Sequence, residues 1–136
     1  MSKFTRVTEQ ISVAPQVALG DMAAAAIEGF TLVINNRPDG EDASQPTSAQ
    51  MEAAAKAAGL AYVHIPVRGA PTLDQVEEER LLLEGHTGRV LAFCRSGTRS
   101  IVTWSLGQAM AGDRTREELV ALGDAAGYDL ANVLPR

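Results

Sequence analysis

Aromatic residues are scarce, at 4% of 136, and Cys94 is the only cysteine. So few aromatics leave little on which single-stranded bases could stack. The 12 Lys and Arg are scattered and the net charge is −5, so the basic stripe that holds a duplex is missing. Nucleic acid is excluded as a partner on these grounds. One cysteine closes no internal disulfide. With 2 histidines as the only other soft ligands, a structural zinc site is not expected. No dinucleotide fingerprint or Walker motif occurs, and neither a metal nor an organic cofactor is predicted. No apolar run approaches the roughly 18 residues of a membrane span, so no membrane association is expected. Residues 1–10 hold no apolar signal-peptide core. A lone free cysteine fits a reducing compartment, and the expected location is the cytoplasm.

What is present is a globular composition, 46% apolar and 21% charged. Apolar runs at 11–14, 30–34, 60–65 and 90–93 read as strands, and the uninterrupted run from Phe30 to Ile34 reads as one buried on both faces. Helices are predicted at 21–28, with Asp21 as its cap, and at 48–58, opened by the capping box of Thr47 and Gln50. Thr72 and Gln75 open another, with Leu73, Val76 and Leu83 on its buried face and Glu77, Glu78 and Glu79 turned to water. Two more follow, at 101–110 and, behind the box of Thr115 and Glu118, at 116–126. Alternating strands and helices predict an α/β fold of three layers, helices covering both faces of a short, mostly parallel sheet. No repeat or linker divides the chain. One domain is expected over residues 5–132, with short tails at 1–4 and 133–136.

Open α/β sheets bind ligands at the carboxyl ends of their strands. There the fourth apolar run stops at Cys94, and Arg95, Ser96, Gly97, Thr98, Arg99 and Ser100 lead directly into a helix. A tight turn of these residues points backbone N–H groups inward as an anion nest, with Gly97 supplying the positive φ it needs. The helix N-terminus and the arginines favour a thiolate over a thiol. Arg99 suits two oxygens of a tetrahedral dianion, and Ser100 is placed to donate a hydrogen bond to the sulfur. A lone cysteine at a strand end is more often a small core residue. Here the small, polar and basic residues that follow argue for an activated nucleophile beside an oxyanion cradle.

The Cys–Ser/Gly–Arg loop after a buried strand resembles that of cysteine-dependent phosphatases of the tyrosine and dual-specificity type. Together with Val33–Glu41 (VINNRPDGE), Ala61–Val67 (AYVHIPV) and Gly127-Tyr128-Asp129, it makes nearly the whole chain similar to one bacterial family. This is the phosphatase-like domain of β-lactamase hydrolase-like proteins, domain of unknown function 442. The resemblance implies a phosphatase-like fold with its anion loop between the last strand and its helix. It also implies Cys94 as nucleophile, Arg99 as anion-binding arginine and Ser100 as the hydroxyl that follows it. A small phosphate ester would be the substrate, cleaved through a Cys94 thiophosphoryl intermediate.

Three departures keep other readings open. Four residues separate Cys94 from Arg99 where the phosphatases have five, and Cys-Arg-Ser-Gly-x-Arg-Ser is also a rhodanese sulfurtransferase loop. Phe93 stands where a histidine precedes the nucleophile. Val67-Arg68-Gly69-Ala70 holds no carboxylate where the general acid would be, which leaves Asp39, Glu41 or Asp42 as candidate donors. Arg37, in the same loop, is a candidate substrate-binding or bracing residue. A sulfurtransferase working through a Cys94 persulfide is the first alternative, its substrate a sulfane-sulfur compound. A catalytically weak anion-sensing domain is the second.

Overall fold

Strands covered on both faces need no polar alternation, and the runs at 30–34 and 90–93 have none. The computed structural model describes residues 3–135. Its sheet has five strands: β1 (Thr5–Arg6), β2 (Ile11–Ala14), β3 (Phe30–Asn35), β4 (Ala61–His64) and β5 (Arg89–Phe93). Their order across the sheet is β1-β2-β5-β3-β4, with only β1 antiparallel. On one face Ile11, Val13, Leu32, Ile34, Val90 and Ala92 meet Ile101, Trp104 and Leu119. These last lie on α4 (Thr98–Ala111) and α5 (Arg116–Ala126), and Leu83 of α3 (Leu73–Glu84) joins them. On the other face Val33, Leu91 and Phe93 pack with α1 (Asp21–Ile27) and α2 (Ser48–Ala57) through Met22, Ala25, Met51 and Ala55. Alternate residues of one strand thus serve two cores, which is the expected three-layer α/β arrangement.

Connection geometry places the site. The chain crosses from β2 over to β3 and on to β4 with α1 and α2 on one face, then returns to β5 with α3 on the other. Right-handed crossovers require that change of face when the direction of winding reverses. The segments leaving β5 and its neighbours β2 and β3 therefore diverge to opposite faces, and a crevice opens at the carboxyl end of β5.

All three capping boxes form as expected, at Thr47/Gln50, Thr72/Gln75 and Thr115/Glu118. Four expectations are corrected. Gly20, not Asp21, caps α1, and Asp21 accepts from the Ala18 N–H and Lys3. Helix α4 begins at Thr98 and not at Ile101, because Gly97, in the left-handed region at φ 89, starts it immediately after the turn. Leu73 sits in the first turn of α3 and projects past the core, 65% exposed, while Glu79 of the same helix is 1% exposed. Strand β1 was not expected, since two residues carry no periodicity. Near the chain ends, Phe4 packs edge-on against Phe30 at 5.6 Å, and Leu134 is buried in the α5-side core. Residues 1, 2 and 136, which belong to the two expected tails, lie outside the described residues.

Candidate active site

Cys94 follows β5 directly and is fully buried. Its Sγ accepts the Gly97 N–H at 3.1 Å. The loop is held from both neighbouring strands: the Cys94 N–H donates to Ala14 at 3.4 Å, and the Gln16 N–H donates to the Arg95 carbonyl at 3.1 Å. On the β3 side the Asn36 N–H donates to the Phe93 carbonyl at 2.8 Å. The N–H groups of Arg95, Ser96, Arg99 and Ser100 have no acceptor among the described residues. Two of them belong to the first turn of α4, whose N–H groups have no intrahelical partner by construction. The loop therefore keeps several donors beside the sulfur for an anion. Ser96 and Thr98 bond to each other through their hydroxyls at 3.0 Å, and both are exposed, as is Arg95.

Arg99 lies in the first turn of α4. One Nη1 proton donates to Glu41 Oε2 at 2.7 Å and the other to the Val67 carbonyl at 2.8 Å, while Nη2 donates to Glu41 Oε1 at 2.8 Å. A guanidinium has five N–H donors. Those left are Nε–H and the second Nη2–H, which share one edge and form a fork for two oxygens. Glu41 thus grips Arg99 end-on and leaves its side edge to the Cys94 sulfur and an incoming anion. The Glu41 hydrogen bonds, and then the Cys94 sulfur, hold Arg99 further toward its charged form.

The candidate proton donors are each engaged within the chain. Hydrogen bonds from Arg99 above all, and then from Arg37, lower the Glu41 pKa to about 2 against the opposing effect of burial. At neutral pH Glu41 has no proton to give. Asp39 accepts the Ser48 N–H at the start of α2 at 2.7 Å, and Asp42 turns back onto Ser44. Arg37 is 4% exposed and braces the site: Nε reaches Glu41 at 3.0 Å and Nη1 reaches Gln16 Oε1 at 3.0 Å. His64 Nε2 bonds to the Arg37 carbonyl at 2.8 Å, which makes it a support of that loop.

Ser100 is also corrected. Its hydroxyl donates to Asn36 Oδ1 at 2.8 Å, and it has no bond to Cys94. The direction of that bond follows from a backbone carbonyl. Asn36 Nδ2 reaches the Ile65 carbonyl at 3.1 Å and Glu79 Oε1 at 3.0 Å. A carbonyl only accepts, so the amide nitrogen must face it, Oδ1 must face Ser100, and Ser100 must donate. Ser100, Asn36 and Glu79, each 1% exposed or less, tie α4, β3 and α3 together beneath the loop. Glu79 Oε2 has no partner among the described residues. Burial raises the Glu79 pKa to about 7, against the Asn36 hydrogen bond.

Sequence reasoning singled out neither Gln16 nor the pair Asn36 and Glu79. The signal for Glu79 was its spacing of three from Val76 and four from Leu83. Tyr128 entered only through the family resemblance, and its hydroxyl donates to the Ser96 carbonyl at 2.9 Å. Among the described residues no group of three or more His, Cys, Asp or Glu is placed to hold a metal ion. No helix among them is long and apolar enough to cross a membrane.

Residues 3–111 match the family described as "Beta-lactamase hydrolase-like protein, phosphatase-like domain". A protein named beta-lactamase hydrolase-like, from Agrobacterium fabrum, is 36% identical over 131 residues, which cover 94% of this chain and 30% of that one. The chain thus spans about a third of the length of such curated relatives. A Neisseria meningitidis protein of solved structure, provisionally assigned as a phosphatase, superposes with a TM-score of 0.85 at 32% identity, covering 97% of this chain and 94% of its own. Tk-PTP in its active form, at 17% identity, has the same fold, with a TM-score of 0.76 over 93% of this chain and 86% of its own.

Proposed function

This chain belongs to the phosphatase-like domain family of the β-lactamase hydrolase-like proteins, and we propose that it is a cysteine-dependent phosphohydrolase. The observation that carries the reading is Arg99, gripped end-on by Glu41, with its side edge toward Cys94 and the N–H turn. The Cys94 thiolate attacks phosphorus in line, an S–P bond forms, and the P–O bond to the leaving group breaks. Arg99 and the loop N–H groups hold the three equatorial oxygens throughout. Water then attacks the thiophosphoryl group, and inorganic phosphate and the thiolate are released.

With Glu41 ionised and paired to Arg99, this reading assigns no proton donor to the leaving oxygen, a function typically worth about 10²–10⁴ in rate. Substrates whose leaving group departs as a stable anion, such as aryl phosphates, are therefore favoured over alkyl phosphates. Every step uses the chain's own residues, without metal or organic cofactor. The proposed unit is the single domain of residues 5–132, with Phe4 and Leu134 packed against it. A thiolate nucleophile of this kind works in a reducing compartment, and the cytoplasm is the proposed location. Wild type is expected to hydrolyse an aryl phosphate with Cys94→Ser inactive, and equal rates in the two would remove Cys94 from the mechanism.

The lack of a proton donor and the four-residue spacing favour a second reading, sulfur transfer. Cys94 attacks the outer sulfur of thiosulfate, an S–S bond replaces the one that breaks, and sulfite departs without needing a proton. Cyanide then takes the sulfur as thiocyanate. Intact mass after thiosulfate treatment reads this directly: a gain of one sulfur on wild type and none on Cys94→Ser supports it, and no adduct on wild type ends it.

A further inference from the structure

Among the described residues the Gly97 N–H is the one backbone donor already on the Cys94 sulfur, at 3.1 Å. Its aim is set within a single peptide unit. The Ser96 carbonyl and the Gly97 N–H belong to the same peptide plane, and no peptide bond among the described residues is cis. In a trans unit C=O and N–H point in opposite directions. Whatever holds the Ser96 oxygen outward therefore turns the Gly97 proton inward. That oxygen is held by the Tyr128 hydroxyl at 2.9 Å, which comes from outside the loop, two residues past the end of α5.

Two further observations fix the arrangement. Gly127, in the left-handed region at φ 92, ends α5, and the Tyr128 N–H bonds back to the Gly123 carbonyl at 2.8 Å. The backbone that carries the ring is thus anchored. Gly97 itself has φ 89, and a Cβ placed on it would overlap the Tyr128 hydroxyl. The close approach of phenol to loop is therefore possible only over a glycine.

We propose that Tyr128 is a positioning residue for the nucleophile: by holding the Ser96 carbonyl it aims the Gly97 N–H at the Cys94 sulfur and so stabilises the thiolate. The proposal rests on Cys94 being the nucleophile of the function proposed above, but its test needs no substrate. Burial, followed by the charge at Cys94, keeps the Tyr128 phenol above its ordinary pKa and hence a donor throughout the neutral range.

Tyr128→Phe removes the hydroxyl and keeps the ring. Alkylation of Cys94 by iodoacetamide, followed from pH 4 to 10, is expected to show a thiol pKa raised by about half to one unit, which slows the reaction at pH 6 by about 3- to 10-fold. The control is Tyr62→Phe. It deletes a hydroxyl that bonds Asn35 and Ser48, outside the loop, and should leave the profile unchanged. Superimposable profiles for wild type and Tyr128→Phe overturn the proposal, as does an equal shift in Tyr62→Phe. Should Tyr128→Phe not fold, the Gly97 amide proton of the wild-type protein decides. Its NMR shift must move with the Cys94 titration, and a flat response sinks the idea. Failure of aryl phosphate hydrolysis would leave these readings intact, so the two proposals fall separately.

Discussion

Glu41 and Glu79 are the same side chain, each within reach of the Cys94 loop, yet their pKa values are displaced in opposite directions, to about 2 and about 7. At the rim, Glu41 accepts from two arginines and remains 26% exposed. Beneath the loop, Glu79 has one amide for a partner, an orphan oxygen and no cation. The ionised form is favoured where charge meets charge and penalised where a carboxylate is merely buried. Each carboxyl is bonded to another side chain of the site. One keeps an arginine in place and the other anchors an asparagine. In this fold the carboxyls near Cys94 act on other residues of the candidate site.

The comparison breaks most severely at Arg99, the residue that the rim carboxylate serves. Arg99→Lys retains the charge and loses both the fork and the end-on grip of Glu41. Turnover is expected to fall about 10²–10³-fold, the loss typical of one oxyanion contact. The Cys94 thiol pKa should move much less, because the positive charge remains. A parallel iodoacetamide profile checks that half, and equal losses in both assays would contradict the division of roles.

Glu79→Gln sharpens the other half. The folded-state pKa lies above the ordinary 4.5, so the folded protein binds this proton more tightly than the unfolded chain does. Stability then falls as pH rises from about 4.5 to about 7 and is flat beyond. The glutamine does not titrate. Relative to wild type, Glu79→Gln should gain on the order of 3 kcal/mol between pH 4 and pH 8. Denaturant midpoints at the two pH values measure this, and a constant offset would mean that Glu79 is not displaced.

Local chemistry was legible in the sequence, and long-range partnership was not. The capping boxes lie within four consecutive residues and each forms as read. The buried runs declare β2, β3 and β5, and the abrupt change from Phe93 to Cys94-Arg95-Ser96-Gly97 marks the site. Glu79 was assigned to water because it sits in a run of three glutamates, although its spacing placed it with Val76 and Leu83. Residue type outweighed period, and period was right. Glu41 was read as a candidate acid because its arginine lies 58 positions away, and nothing nearby announces an ion pair. Ser100 was aimed at the sulfur because Asn36, which takes its proton, is 64 positions away.

The smallest effect, and the one that decides what kind of residue Glu41 is, comes from Glu41→Gln. The amide keeps one oxygen for Arg99 but loses the charge and presents an N–H₂ to the second arginine nitrogen. A partly exposed ion pair is worth about 1 kcal/mol at most, so kcat/KM should fall by no more than about fivefold. The shape of the profile says more than the size of the loss. Because Glu41 is ionised from about pH 2 upward, its removal should lower the whole pH–rate curve without moving either limb. For a series of aryl phosphates, the dependence of rate on leaving-group pKa should be unchanged. A general acid would behave otherwise: its loss would abolish the alkaline limb and slow poor leaving groups far more than good ones. Either outcome would return Glu41 to the chemistry and make its pairing with Arg99 only one state of the site.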